Sequence, residues 1–377
     1  MTVERIETYV VEQALDTPFY FSQFEFQSRQ ICLVKVIAAD GSYGWGEGYG
    51  PATVVQAGVE FLAPLVVGED PLQVEAIWSK MHLRALDYAR RGVLVAAISA
   101  LDIALWDLRG KLLGQPVSTL LGGRRRERVK VYATGMYFTQ TDDLSGKLAE
   151  EARLYVSQDF RALKMKVGLG VETDVKHVRA ARAAIGPDVQ LMVDANHAYS
   201  LSEALSFARQ IEELDISFFE EPVSPEDYEG YRELRGRISI PVAGGECEYL
   251  LAGFRHLLSN RCVDIAQPDI CGAGGLTETK RIAALAYAYQ TNVLPHSWGT
   301  GIAFAAGLHL VSTLDIVPGR LRMPEAMLEM DRSESALRDN LTAPKFALED
   351  GSVTVPNAPG LGVDVDTDFL AEYARAG

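Results

Sequence analysis

Cysteine is scarce in this chain of 377 residues: Cys32, Cys247, Cys262 and Cys271 are the only four, and no two stand at CxxC spacing. A chain of this length buries most of its unfolded surface without covalent staples, so a disulfide framework is excluded and reduced thiols in the cytosol are expected. Positive charge is also short. Lys and Arg number 36 against 51 Asp and Glu, a net charge of −15, which argues against non-specific binding to nucleic acid or to an anionic membrane. The N-terminal MTVERIETYV lacks a basic stretch followed by an apolar core, so no secretory signal is expected. The most apolar stretch, Gly92 to Trp106, is interrupted by Asp102 and is too short to span a bilayer. These absences leave a large soluble cytoplasmic protein with a small-molecule partner. An anionic partner stays open, because one local cation can invert the field inside a pocket.

The pattern along the chain divides it in two. Residues 1–125 read as an α+β domain. Ile6 to Glu12 and Gln30 to Ala39 are strand-like, Asp40-Gly41 is a hairpin turn signal, and helical patterns follow at 52–65, 71–85 and 92–113. The third helical pattern is apolar round most of its circumference, which predicts burial. The run from Leu120 to Arg128, with Arg124, Arg125, Arg126 and Arg128, reads as a solvated junction rather than a recognition patch, given the acidic chain and the flanking glycines. From residue 126 to 330, short β-branched or apolar runs alternate with helical stretches. The runs are 129–135, 162–168, 190–196, 216–222, 240–246, 263–269, 291–296 and 326–330. Eight strand-plus-helix units predict an α/β fold, a (β/α)8-type (TIM-like) barrel. The tail, 331–377, carries turn signals and short strands and is expected to pack back on the first domain, completing an α+β cap.

Catalytic groups in such barrels sit at the C-terminal ends of the strands. Asp194, Glu220 and Glu246 end the third, fourth and fifth strand candidates at equal spacing, so the three carboxylates share a phase and converge on the barrel mouth. Three close anions in a low-dielectric site repel strongly, and a hard divalent cation resolves the repulsion. All-oxygen ligation favours Mg²⁺, or Mn²⁺, over zinc. Glu221 rivals Glu220, and equal spacing favours Glu220. Lys164 and Lys166 alternate with Leu163, Met165 and Val167, so the lysines point into the barrel. Two ammonium groups beside each other and a metal are expected to depress one another's pKa, so that one can act as a base. Asp269 ends the sixth strand and His296 the seventh, where the carboxylate can orient the imidazole as an acid/base dyad. A lysine on one side, a histidine on the other and a metal between suit removal of a proton α to a carboxylate.

These residues carry a resemblance. The segment Ala97 to Lys111, Lys164-Met165-Lys166, Asp194 with Asn196, Glu220-Glu221-Pro222, Gly245-Glu246, Gln267-Pro268-Asp269, Pro295-His296 and Leu328-Glu329 together resemble the enolase superfamily, in its mandelate racemase and muconate lactonizing enzyme group. That superfamily pairs Lys or His bases with Mg²⁺. The resemblance implies that Asp194, Glu220 and Glu246 bind Mg²⁺. It makes Lys166 and His296 the acid/base groups on opposite faces of a small carboxylate, with Lys164 neutralising that carboxylate and Asp269 supporting His296. It gives Glu329 a hydrogen bond to the enediolate and Asn196 a contact with substrate. His197, Trp298, Tyr20 and Tyr137 are the further residues expected to touch substrate. The sixth strand carries Ile270-Cys271-Gly272 where the muconate lactonizing subgroup has a lysine, which favours the mandelate racemase-type arrangement. A homo-oligomer is also implied.

The motifs from Asp194 to Tyr199 and from Pro295 to Gly301 resemble acid-sugar enzymes, so the expected reaction is β-elimination from an enediolate, by a dehydratase or an aldarolactone cycloisomerase. A racemase or epimerase using the same two bases is the alternative. A metal-dependent hydrolase would want histidine ligands or a bimetal cluster, and an inactive binding protein would not keep both bases. Two loops are expected to set the substrate. One is Thr17 to Gln27, with Phe19, Tyr20, Phe21, Phe24 and Phe26. It is less polar than a polyhydroxy substrate suggests, and packing within the cap or at a subunit contact is its other reading. The second, Gly44 to Gly50, does not fit GxGxxG and reads as a mobile lid edge.

Overall fold

The computed structural model describes residues 1–315 and 326–375. Three antiparallel strands open the chain, β1 (Val3–Tyr20), β2 (Glu25–Ala38) and β3 (Tyr43–Gly48), in the order β1-β2-β3. The first two run well past the expected segments. Pairing resumes beyond an irregularity between Ala14 and Phe19 and ends at Phe19 opposite Phe26 and Tyr20 opposite Glu25. Most of the aromatic segment is therefore the tip of a hairpin, not a free loop.

The expected lid edge at Gly44 to Gly50 is instead mostly strand β3, buried along its length. A Cβ on Gly44 would lie 2.1 Å from the Ala104 carbonyl oxygen, and one on Gly46 2.0 Å from that of Ala100. These glycines serve close packing of a strand on a helix, not mobility. The helices are α1 (Ala52–Leu62), α2 (Val74–Ala85) and α3 (Val93–Leu113). The third is buried on almost every face, as its apolar circumference predicts. One side meets β3. Another meets the barrel helix Gly275–Ala288, where Asp102 accepts the Thr277 N–H at 2.9 Å and Trp106 Nε1 donates to Thr277 Oγ1 at 2.9 Å.

Eight parallel strands follow: β4 (Arg128–Gly135), β5 (Ala162–Lys166), β6 (Gln190–Asp194), β7 (Ile216–Glu220), β8 (Val242–Gly244), β9 (Ile265–Ala266), β10 (Asn292–Val293) and β11 (Met327–Asp331). The strands from β4 to β10 pair in chain order, and β11 pairs with β4 to bring the ends together. Tyr132, Ala162, Met192, Phe218, Ala243, Ile265, Leu294 and Met327 form one buried interior layer, with one residue from each strand or its immediate end. This is the (β/α)8-type barrel that the sequence spacing predicts. Ala162 belongs to the interior layer, so strand alternation sets Lys164 and then Lys166 above it on the same side, towards the mouth.

The tail is shared between the two parts. Ser352–Thr354 pairs antiparallel with β4, while Asp364 accepts from Tyr43 Oη at 2.9 Å and Trp45 Nε1 at 3.1 Å on the first sheet. The arginine run is the largely exposed junction expected, and its side chains also brace it. Arg124 donates to Ser118 Oγ and the Pro356 carbonyl, Arg126 to the Val311 and Leu314 carbonyls, and Arg125 pairs with Asp315. No helix among the described residues is long and apolar enough to cross a membrane.

Candidate active site

Register across the parallel strands builds the floor of the site. Lys166 on β5 is opposite Asp194 on β6, which is opposite Glu220 on β7. Three charged side chains therefore stand in one row at the mouth, all buried. Lys166 Nζ lies 2.6 Å from Asp194 Oδ2. Lys164 Nζ lies 2.6 Å from Glu220 Oε1, 2.8 Å from Glu329 Oε1 and 3.6 Å from Asp194 Oδ2. Gln267 Nε2 donates to Glu220 Oε2 at 2.6 Å.

On the far side stands the expected dyad, with His296 Nδ1 2.6 Å from Asp269 Oδ2. Its Nε2 faces Glu246 at 3.4 Å and Glu329 at 3.9 Å. Glu329 thus spans the floor from Lys164 to His296. Thr134 and the Ser297 N–H donate to it and fix its orientation.

The electrostatics follow from burying so many charges together. Burial works to push Asp194 up, yet Lys166 and Lys164 hold it at about 2. Burial, only partly offset by Lys164, pushes Glu220 up to about 8. Burial and the neighbouring Glu221 push Glu246 up to about 7. Burial opposes the charge on His296, but Glu246, Glu329 and Asp269 raise it to about 10. Lys164 does act to lower Lys166, as expected, but among the protein's own charges no net depression of either lysine results. Burial acts to lower both, but Glu220 and Glu329 hold Lys164 above the usual lysine value and Asp194 does the same for Lys166. Carboxylates at 2.6–2.8 Å outweigh the repulsion between the ammoniums.

Asp194 and Glu220 end adjacent strands and Glu246 lies two residues past β8, but their oxygens do not gather at a point. Asp194 and Glu220 lean to the lysines, and Glu246 leans to His296. Glu221, the rival of Glu220, turns the other way: its Oε2 lies 3.0 Å from His197 Nε2.

The residues expected to touch substrate divide. Tyr137 is buried with its ring centroid 5.2 Å from Lys166 Nζ. Trp298 lines a small cavity with Tyr49, Asp269 and His296. The Asn196 N–H is held by Asp194 Oδ1 at 2.9 Å, and its buried Oδ1 has no protein partner. Tyr20 is misassigned. Its backbone bridges to Phe138, and it lines a separate surface hollow with Thr139, Gln140, Thr141, Asp142 and Leu144. Its neighbours in alternation, Phe19 and Phe21, face the site: Phe19 packs on Tyr137 at 4.7 Å, and Phe21 lies 5.9 Å from Lys166 Nζ. His197 has its ring nitrogens engaged by Glu221 and by the Val223 carbonyl.

The sequence reading overlooked several groups. Tyr49, just past β3, sets its ring edge-on to His296 at 5.4 Å. Ser22 and Gln23 latch the hairpin tip to the carbonyls of Ala195 and Asn196. Arg29, buried in an ion pair with Asp331 at 3.0 Å, lies over Trp298 at 3.5 Å from the ring centroid. Tyr49, Ser22 and Gln23 lie within the two loops expected to set the substrate, Gln267 stands at a strand end in phase with Asp269, and Arg29 carried no signal.

The chain matches two family models: the mandelate racemase / muconate lactonizing enzyme N-terminal domain over residues 5–122, and the enolase C-terminal domain-like model over residues 147–369. It is 39% identical over 373 residues to D-galactarolactone cycloisomerase of Agrobacterium fabrum, covering 99% of each chain. It aligns with the crystal structure of the 3,6-anhydro-D-galactonate cycloisomerase from Zobellia galactanivorans at a TM-score of 0.92 and 52% identity, covering 100% of both. A racemase from Streptomyces coelicolor A3(2), solved with bound magnesium, aligns at a TM-score of 0.87 and 30% identity, covering 99% of this chain and 100% of that one.

Proposed function

The chain belongs to the mandelate racemase / muconate lactonizing enzyme family of the enolase superfamily and is an enzyme of the lyase or isomerase type; from that premise we propose that it opens the ring of a 3,6-anhydro sugar acid by β-elimination. One observation carries the choice of substrate. The wall above Lys166 is aromatic: Phe19, Phe21, Phe26, Tyr137 and Trp298 form one cluster. An anhydro acid has one carboxylate, fewer free hydroxyls than an open-chain sugar acid, and a ring whose C–H faces pack on aromatic rings. An aldarolactone also has a single free carboxylate, but its ring carries a polar ester carbonyl where the anhydro ring has only an ether. The 52% identity to the anhydro-acid enzyme, against 39% to the lactone enzyme, points the same way.

The chemistry balances as an isomerisation. The proton on C2, α to the carboxylate, is removed. The electron pair left on C2 forms the C2–C3 double bond as the ring C3–O bond breaks, and the freed oxygen takes a proton. The enol then becomes a 2-keto-3-deoxy acid by protonation at C3. Lys166 and His296 stand on opposite sides of the floor, so one removes the C2 proton and the other protonates the leaving oxygen. Asp269 holds His296 Nδ1, leaving Nε2 towards the substrate. Lys164 supplies positive charge beside the bound carboxylate, and Glu329 links the two sides. The hairpin tip, latched by Ser22 and Gln23, excludes water from above.

Asp194, Glu220 and Glu246 fit a hard divalent cation, because they are three carboxylates at or just past the ends of adjacent strands, Asp194 and Glu220 buried and Glu246 only slightly exposed. Mg²⁺ held by these three, or Mn²⁺ in its place, would stabilise the negative charge that grows on the substrate carboxylate.

The test is a comparison of substrates with Mg²⁺ present. The expected kcat/KM for 3,6-anhydro-D-galactonate exceeds that for D-galactarolactone by at least ~100-fold, the equivalent of ~3 kcal/mol in transition-state binding. A preference for the lactone would overturn the assignment, and faster loss of water from plain galactonate would make the protein a dehydratase.

A further inference from the structure

Outside the floor just described, His197, Glu221 and Cys247 form a separate cluster. Among the described residues it is the one set of three His, Cys, Asp or Glu side chains whose donor atoms all lie within 4.8 Å of one another. His197 Nε2 is 3.0 Å from Glu221 Oε2 and 3.5 Å from Cys247 Sγ. With bonds of about 2.0–2.3 Å, a tetrahedral ion sets its ligand atoms about 3.3–3.7 Å apart. The side chains are thus already spaced nearly as such an ion would space them.

We propose that His197 Nε2, Glu221 Oε2 and Cys247 Sγ form a binding site for a thiophilic divalent cation of the Zn²⁺ class, distinct from the Mg²⁺ site. The donor chemistry separates the two sites. One sulfur and one imidazole nitrogen with a single carboxylate select a softer ion than three carboxylates do. The backbone explains how both can exist side by side. Glu221 follows Glu220 and Cys247 follows Glu246, while His197 lies three residues past Asp194. The ends of β6, β7 and β8 and the loops after them therefore carry one ligand set facing the lysines and His296 and a second set just beyond it. His197 and Cys247 are partly exposed, so an ion can enter from the mouth. The sulfur binds as thiolate, its proton passing to buffer, and three protein ligands leave a fourth position for water. An ion held there adds positive charge beside Glu246, so occupancy is expected to slow turnover reversibly.

The test uses the full chain, freed of metal by chelator and titrated with Co²⁺ or Zn²⁺ alone. One equivalent of Co²⁺ should produce a sulfur-to-cobalt absorption band in the near ultraviolet, and the band should survive saturating Mg²⁺. Against a chromophoric chelator, Cys247→Ser and His197→Gln should each weaken Zn²⁺ binding at least ~100-fold. Near-ultraviolet circular dichroism checks that each variant is folded. Cys247→Ser should keep its Mg²⁺-supported turnover and lose the inhibition by Zn²⁺. Absence of the band, its displacement by Mg²⁺, or unchanged Zn²⁺ affinity in a folded Cys247→Ser variant would overturn the site. The optical readout does not depend on the substrate, so failure of the cycloisomerase reading would leave it standing.

Discussion

Lys166→Ala is expected to lower kcat by about 10³–10⁴-fold, the upper range for losing a positioned acid/base group and a barrier increase of about 4–5 kcal/mol. KM should change far less, because Lys164, not Lys166, sits among Glu220 and Glu329 where the substrate carboxylate would be neutralised. The variant leaves the buried Asp194 without its nearest cation, at 2.6 Å in the native chain. A lower melting temperature is therefore expected, and kinetics should be taken well below it. Lys166→Arg keeps the charge but not the compact ammonium. It should restore the melting temperature and not the turnover. Recovery of turnover by arginine would show that Lys166 supplies only charge.

The second large effect is at His296. His296→Asn is expected to lower kcat by about 10²–10⁴-fold, and Asp269→Asn by less, since the imidazole stays in place but loses the carboxylate 2.6 Å from Nδ1. The two variants of the acid/base pair should differ in one diagnostic respect. Whichever residue removes the C2 proton, its loss should abolish both turnover and exchange of that proton with solvent. Loss of the partner that protonates the leaving oxygen should stop ring opening while exchange continues. If neither variant exchanges and both open the ring at near-native rates, the two-sided model fails.

Much of this was legible in the sequence, for particular reasons. Strand alternation in Leu163 to Val167 placed both lysines inside, and β5 bears them there above Ala162. Spacing by strand-plus-helix units put Asp194 and Glu220 on one register row. What failed depended on partners distant in the chain. Gly44 and Gly46 read as a lid edge because the surface that requires them, the backbone of α3 at Ala100 and Ala104, lies more than fifty residues on. Tyr20, rather than Phe19 or Phe21, was expected to touch substrate, but the parity of β1 beyond its irregularity decides which side chains face the lysines. The arginine run gave no sign that distant carbonyls, Pro356 and Val311 among them, would claim its donors. The lysine pKa argument counted the two ammoniums and a metal ion and left out Glu329, which arrives from the last strand of the barrel.

The central claim is that proton removal at C2 is coupled to departure of the ring oxygen. Proton NMR of 3,6-anhydro-D-galactonate with enzyme and Mg²⁺ in D2O tests it most directly. The predicted result is loss of the C2 proton signal and appearance of a C3 methylene carrying one deuterium. In H2¹⁸O the product should carry no ¹⁸O at its new C6 hydroxyl, because that oxygen is the former ring oxygen. Recovery of unopened substrate deuterated at C2 would contradict the claim and make the protein a racemase or epimerase of the same acid.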